Sequence, residues 1–296
     1  MCPVTFAARA LPLPRFALWS GIIQAVGNTG MLLSASPLAL LVEWRGWQSG
    51  FWASAGLAAL AWCAVALAVR EPPVAEGPRG TVWDDAREVV ALALSRRLRP
   101  LMVFAFASFA AVLGVRGLWG GPWLMEVKGL GRVEAGNLLL LCTAALTAGP
   151  ALAGVVDRVL GRRAALLAGS HALVALLVAL LVAGGPGGFL SAALGLPVLP
   201  TAYDAALLAA FGLVISFQVL IFPTTRALVA PEQTGRALSA VNMSFFGGAA
   251  AMQAVSGAAA SAGGVPAALS SFAVALLVCS VGFLVLRQRV TKRAPV

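Results

Sequence analysis

Apolar residues run along this chain in nearly unbroken blocks of about 20, and the charged residues fall almost entirely in the gaps between them. A helix rises 1.5 Å per residue, so a block of that length crosses roughly 30 Å of hydrocarbon. Eight blocks are long enough, at 16–42, 51–69, 101–123, 135–156, 164–183, 205–222, 237–260 and 265–286. They are rich in Ala and Leu and do not alternate in polarity, which argues against a β-barrel, whose strands alternate over about ten residues. The pattern therefore predicts an all-α integral membrane protein with about eight transmembrane helices. The first block is too long for the apolar core of a secretory signal and lacks a small-residue cleavage pattern after it, so it is expected to remain in the mature protein.

The gaps carry the orientation signal. With the N-terminus inside, 17 of the 21 basic residues fall on one side of the membrane, and Arg45, Lys128 and Arg132 on the other. Cytoplasmic loops collect Lys and Arg, so both termini are expected in the cytoplasm, in a multi-pass protein of the cell's inner membrane. The same spread explains the sequence pI near 11.1 without a nucleic-acid partner, because the charge is distributed over loops and not gathered on one face. Composition agrees: 60% of residues are hydrophobic and 11% charged.

The longest inner loop divides the chain unevenly, two spans before it and six after. Its start, "REPPVAEGPRG", is expected to be extended, and "TVWDDAREVVALALSRR" to form a short amphipathic helix on the membrane surface. Thr81 and Asp84 have capping-box spacing, and Arg96 and Arg97 suit the helix's negative end. The expected organisation is a cytoplasmic segment at 1–15, two helices within 16–69, the central loop at 70–97, six helices within 98–286 and a cytoplasmic tail at 287–296.

One inner loop is specific enough to suggest a family. "AGVVDRVLGRR" (153–163) resembles the loop motif of the major facilitator superfamily, roughly G-x-x-x-D-R-x-G-R-R, which joins the second and third helix of each six-helix half. Asp157, Arg158, Gly161, Arg162 and Arg163 fit it; Ala153 replaces the first glycine, and Leu160 adds a residue before Gly161. Whatever the family, Asp157 among arginines can form charge-assisted hydrogen bonds that latch neighbouring helices. "EWRGWQSGFW" (43–52) is similar to the outer loop entering that family's sixth helix, and "TGRALSAVNMSFFGGAAAMQ" (234–253) to its eleventh. The resemblance implies a partial fold of that superfamily, helices five to twelve with a complete C-terminal six-helix half and the first four helices absent. It also implies alternating-access transport of a small solute by a secondary carrier.

Polar residues inside the spans are the candidates for solute contact. Arg116 is the only basic one, and a guanidinium in a span is costly and tends to face a bundle interior. Two readings stay open: contact with an anion or carboxylate in a cavity, or snorkelling, since Arg116 lies about 22 Å along its span from Leu101. Trp119 and Trp123, three and seven residues on, are expected on the face of Arg116. Gln24 and Asn28 share a face of the first span; Asn242 and Gln253 share one of the seventh; Asn137 and Gln218 complete the set. Interhelical hydrogen bonding is the competing use of all these amides.

No carboxylate lies deep in a span, so a coupling proton or other ion has no evident acceptor; Asp204, in "TAYD", reads as a helix cap, and His171 as a titrating or a hydrogen-bonded structural histidine. Cys2, Cys63, Cys142 and Cys279 lack metal-binding spacing and read as packing residues. "GGPGG" (184–188) reads as a flexible linker. Neither a cofactor nor a metal is expected, and the expected partners are a small solute, the lipid bilayer and a coupling ion. Enzyme signatures such as HExxH, GxSxG and a P-loop are absent from the sequence. The alternatives are a non-functional remnant of a transporter gene, or a lipid-modifying membrane enzyme using Arg116 to hold a phosphate.

Overall fold

The computed structural model describes residues 4, 6–8, 11–68 and 81–291. Cys2, the Pro/Gly-rich stretch 70–80 and the tail from Lys292 lie outside the described residues, as do Arg9, Arg70, Arg79 and Arg293. Everything regular among the described residues is helical.

The apolar blocks become α1 (Leu13–Arg45), α2 (Trp47–Ala68), α4 (Arg99–Val127), α5 (Arg132–Leu160), α6 (Arg163–Ala183), α8 (Thr201–Arg226) and the long α9 (Thr234–Thr291). Between them lie the surface helix α3 (Val82–Leu94) and the short α7 (Phe189–Ala193). Six of the described helices are long and apolar enough to cross a membrane. The last of those six holds two of the expected spans. Its backbone leaves the helical region at Gly263 and Gly264, the latter at φ 68°, a conformation glycine adopts without steric cost. Pro266 then sits in the first turn of the rod that follows. Counted as two rods joined at a glycine pair, this helix brings those spans to seven; α1 covers the remaining expected block, 16–42, but is not among the six.

Helix starts and stops follow local chemistry. Around α3 the expected capping box is present: Thr81 N donates to Asp84 Oδ2 (2.9 Å), and Asp84 N donates to Thr81 Oγ1 (3.3 Å). These bonds from Thr81 hold the Asp84 carboxyl below the usual carboxylate range. Between α5 and α6 only two residues intervene, and Gly161 makes that possible by turning at φ 61° while its N–H bonds Asp157 O at 2.8 Å.

Two apolar clusters make the core. One gathers Val115, Trp123, Leu146, Phe211 and Phe272; the other gathers Phe16, Leu101, Phe104, Phe222 and Phe283 near the arginine-rich helix ends, here called the basic end. α4 packs chiefly on α9, and α1 and α8 both pack on α5 and touch each other. Glycines permit these close crossings: a Cβ at Gly21 on α1 would collide with the Pro150 carbonyl of α5. Much of α2, including Phe51, Trp52, Leu60 and Trp62, is exposed on the bundle surface, as expected of side chains that face lipid.

"GGPGG" is not the flexible linker it resembles. Gly184 and Gly185 are buried against Tyr203 and Trp123, Leu199 N donates to Gly184 O (3.0 Å), and Ser191 Oγ donates to Gly185 O (2.6 Å). Glycines here serve packing at the end of the bundle opposite the basic one.

Candidate functional site

A cavity of about 360 Å³ opens where the two core clusters meet. α1 contributes Gln24, Gly27 and Asn28; α4 contributes Phe109 and Val112; α5 contributes Leu146 and Pro150. α8 adds Ser216, Gln218, Val219 and Phe222, and α9 adds Asn242, Phe245 and Phe246. Val4, from the segment before α1, completes the wall. Four of the seven expected polar candidates therefore line one space.

Its chemistry is amide and aromatic, with no charged side chain in the wall among the described residues. Gln24 Nε2 donates to Asn28 Oδ1 (3.2 Å), and Asn28 Nδ2 donates to Leu146 O (2.9 Å). The i, i+4 spacing read from the sequence thus produces a direct contact on the predicted face. Gln218 Oε1 is buried with no partner among the described residues.

The remaining candidates lie elsewhere. Asn137 and Gln253 are exposed and do not line the cavity. Gln253 keeps the helical phase of Asn242, yet it stands eleven residues farther along α9, beyond the height of the cavity. Arg116 is half-buried one turn past Val112, and its Nε donates to Thr143 Oγ1 at 2.6 Å. Thr143 lies three residues before the cavity-lining Leu146 on α5, so the Arg116–Thr143 bond borders the cavity on the side away from the basic end.

The expectation that Trp119 and Trp123 share the face of Arg116 fails for a structural reason. α4 is π-helical over Val112–Trp119 and again over Trp123–Val127. A π turn closes i→i+5, taking roughly one residue more than an α turn, so the 3.6-residue phase is lost. Arg116 reaches α5, Trp119 Nε1 donates to Ser256 Oγ on α9 (3.0 Å), and Trp123 Nε1 donates to Asp204 Oδ1 on α8 (2.9 Å).

Asp204 is also not a cap: Pro200 occupies the cap position, without a side-chain bond. Instead Lys128 Nζ lies 2.7 Å from Asp204 Oδ2, with 2% and 0% of the two side chains exposed. Lys128 Nζ donates as well to Leu199 O (2.8 Å). Sequence reasoning placed Lys128 in a loop; its spacing from Asp204 gives no local signal that the two would meet. His171 is fully buried, with Ser108 Oγ 2.6 Å from Nε2 and the Phe104 ring packed against it, tilted by 44° at 3.9 Å between ring centroids. That is the hydrogen-bonded structural histidine of the two readings.

In the loop motif, Arg163 Nε donates to Asp157 Oδ2 at 2.7 Å. Asp157 sits at the negative end of α5 and Arg163 at the positive end of α6, each unfavourable alone, and pairing offsets both. Arg158 and Arg162 are exposed. Among the described residues no three His, Cys, Asp or Glu side chains come together in a way that could hold a metal ion.

A family profile described as the Major Facilitator Superfamily matches residues 2–223, which is 222 of the 296 residues. The chain belongs to the major facilitator superfamily. The matched span takes in the loop motif at 153–163 and the stretch at 43–52, whereas 234–253 lies beyond it. No curated protein matches the chain. Membership in the superfamily makes this a multi-pass membrane protein of a secondary transporter family, one that moves small solutes.

Proposed function

We propose that this chain carries a small, uncharged solute across the cell's inner membrane by alternating access, with the cavity as the solute site and both termini in the cytoplasm. The observation that carries the reading is the cavity wall. Four amides, a serine and four phenylalanines meet there, and among the described residues no side chain in the wall carries a charge. Such a wall suits a solute with an apolar or aromatic body and a few hydrogen-bonding groups. The basic loops support the orientation. We assign α1 and α2 to the last two helices of a six-helix half, and residues 98–286 to a complete second half, which puts the cavity at the meeting of the two halves.

A second reading takes the solute as an organic anion. Arg116 favours it, because its guanidinium stands one turn from the cavity wall, beside Thr143. In either reading a coupling proton or other ion would act outside the described wall, since no carboxylate lines it among the described residues.

Uptake into proteoliposomes of radiolabelled uncharged aromatic amides and alcohols, sugars, organic anions and cationic drugs tests the proposal. Uptake of uncharged solutes that is lost in Asn242→Ala and kept in Arg116→Ala is expected. Uptake confined to anions and lost in Arg116→Ala would replace the first reading by the second. Failure of every solute would favour a non-functional remnant, and turnover of a lipid in the same vesicles would favour the enzyme alternative.

A further inference from the structure

Pro150 has no N–H, so the carbonyl of Leu146, four residues earlier in α5, has no helical donor. In the apolar interior such a carbonyl needs another partner. Asn28 supplies it from α1 at 2.9 Å, and Asn28 is 5% exposed. Ser216 Oγ lies 3.2 Å from the same oxygen, but it has one hydrogen and a shorter contact, 2.7 Å, with Gly212 O. Gln24 accepts no part of this load; its amide donates to Asn28 Oδ1 and so turns the Asn28 NH₂ toward Leu146. Gln24, Asn28, Leu146, Pro150 and Ser216 all line the cavity.

The bond between α1 and α5 is therefore made inside the solute space. We propose that Asn28 is the positioning residue through which an occupant of the cavity controls the contact between α1 and α5, and that the seat selects a solute with a donor and an acceptor side by side, a hydroxyl or a carboxamide. This rests on the cavity being the solute site. Such a group inserts between the two partners, accepting from the Asn28 amide and donating to the Leu146 carbonyl. One helix-to-helix bond is exchanged for two solute bonds, and α1 is released from α5 without orphaning the carbonyl. A carboxylate accepts from Asn28 but has nothing to donate, so it leaves Leu146 O with only the long Ser216 contact.

The test needs no transport. In the full chain with its four cysteines replaced, Gly27→Cys places a thiol in the cavity wall, where a Cβ meets nothing within 4 Å. Its labelling rate by a membrane-impermeant maleimide is measured in proteoliposomes for the parent, Asn28→Ala, Pro150→Ala and the double variant. Asn28→Ala is expected to change the rate roughly fivefold or more, the effect of leaving a buried carbonyl with only the long contact to a hydroxyl already committed to Gly212 O. In the Pro150→Ala background it is expected to change it less than about twofold, because residue 150 then donates to Leu146 itself. Equal effects in both backgrounds, or none in either, overturn the proposal. Gln24→Ala, which keeps the donor but loses its orientation, gives a milder variant and should follow the same pattern.

The solute class is read with three probes on the parent: benzamide, N,N-dimethylbenzamide and benzoate. Benzamide alone should change the labelling rate, and that change should disappear in Asn28→Ala. An equal effect of dimethylbenzamide or benzoate, or no effect of any probe, overturns the assignment of the class. Labelling that behaves as expected in a chain with no uptake would separate this inference from the transport proposal.

Discussion

Lys128 and Asp204 meet with 2% and 0% of their side chains exposed, whereas Arg236 meets Asp85 with 40% and 54% exposed. The first pair ties the end of α4 to the start of α8, at the end of the bundle away from the basic loops. It shares its carboxylate with Trp123 and its ammonium with the Leu199 carbonyl. The second straps α3 to the start of α9, where Arg236 also reaches Glu88 at 2.7 Å. Equal distances thus conceal unequal roles. A buried pair whose partner is removed leaves a charge stranded away from water, whereas an exposed pair returns both charges to solvent. The pair at one end of the bundle is a joint closed to water, and the Arg236 pair at the basic end is open to it.

Lys128→Met breaks the comparison most severely, since Asp204 would keep only Trp123. A loss of about 3–5 kcal/mol is expected, read from the unfolding midpoint in detergent, with Lys128→Met/Asp204→Leu recovering most of it. A single variant as stable as the parent would mean that water reaches this site. Asp157→Asn comes next. Asp157 is buried but its partner Arg163 is a quarter exposed, and a loss of about 1.5–3 kcal/mol is expected in the same assay. Arg236→Ala should cost no more than about 1 kcal/mol and should cost less at high salt. A salt-independent loss as large as that of Lys128→Met would erase the distinction between the two ends.

The smallest effect concerns the cap of α3. Its carboxyl titrates below the usual range, so the stabilisation from Asp84 is present above that range and lost as pH falls through the depressed value. Hydrogen exchange at the first-turn amides of α3, corrected for intrinsic rates, should show protection that is flat near neutrality and declines only in acid. Asp84→Asn should remove that decline. A decline centred near neutrality would implicate another group.

The parts that could be read from the sequence are those governed by local period and local chemistry. Block length placed the helices, spacing placed the Thr81–Asp84 box, and i, i+4 geometry placed Gln24 against Asn28 on the cavity side. The misreadings have two sources. In α4 the π turns discard the phase that the Arg116–Trp119–Trp123 reading assumed, and the three side chains reach three different helices. The other source is separation: Lys128 does lie in the turn after α4, as read, but Asp204 read as a helix cap because its neighbours give no sign of the lysine, 76 residues away, that fixes its role. Gln253 shows the same limit, since periodicity gives the direction of a side chain but not the height at which a cavity ends.

The Lys128–Asp204 joint also imposes an order on synthesis. Lys128 leaves the ribosome 76 residues before Asp204, a delay on the order of 4–15 s at ordinary elongation rates. Throughout that interval the end of α4 carries an ammonium with no counter-charge, and it can settle only where water still reaches it. Final seating of the end of α4 therefore waits for α8.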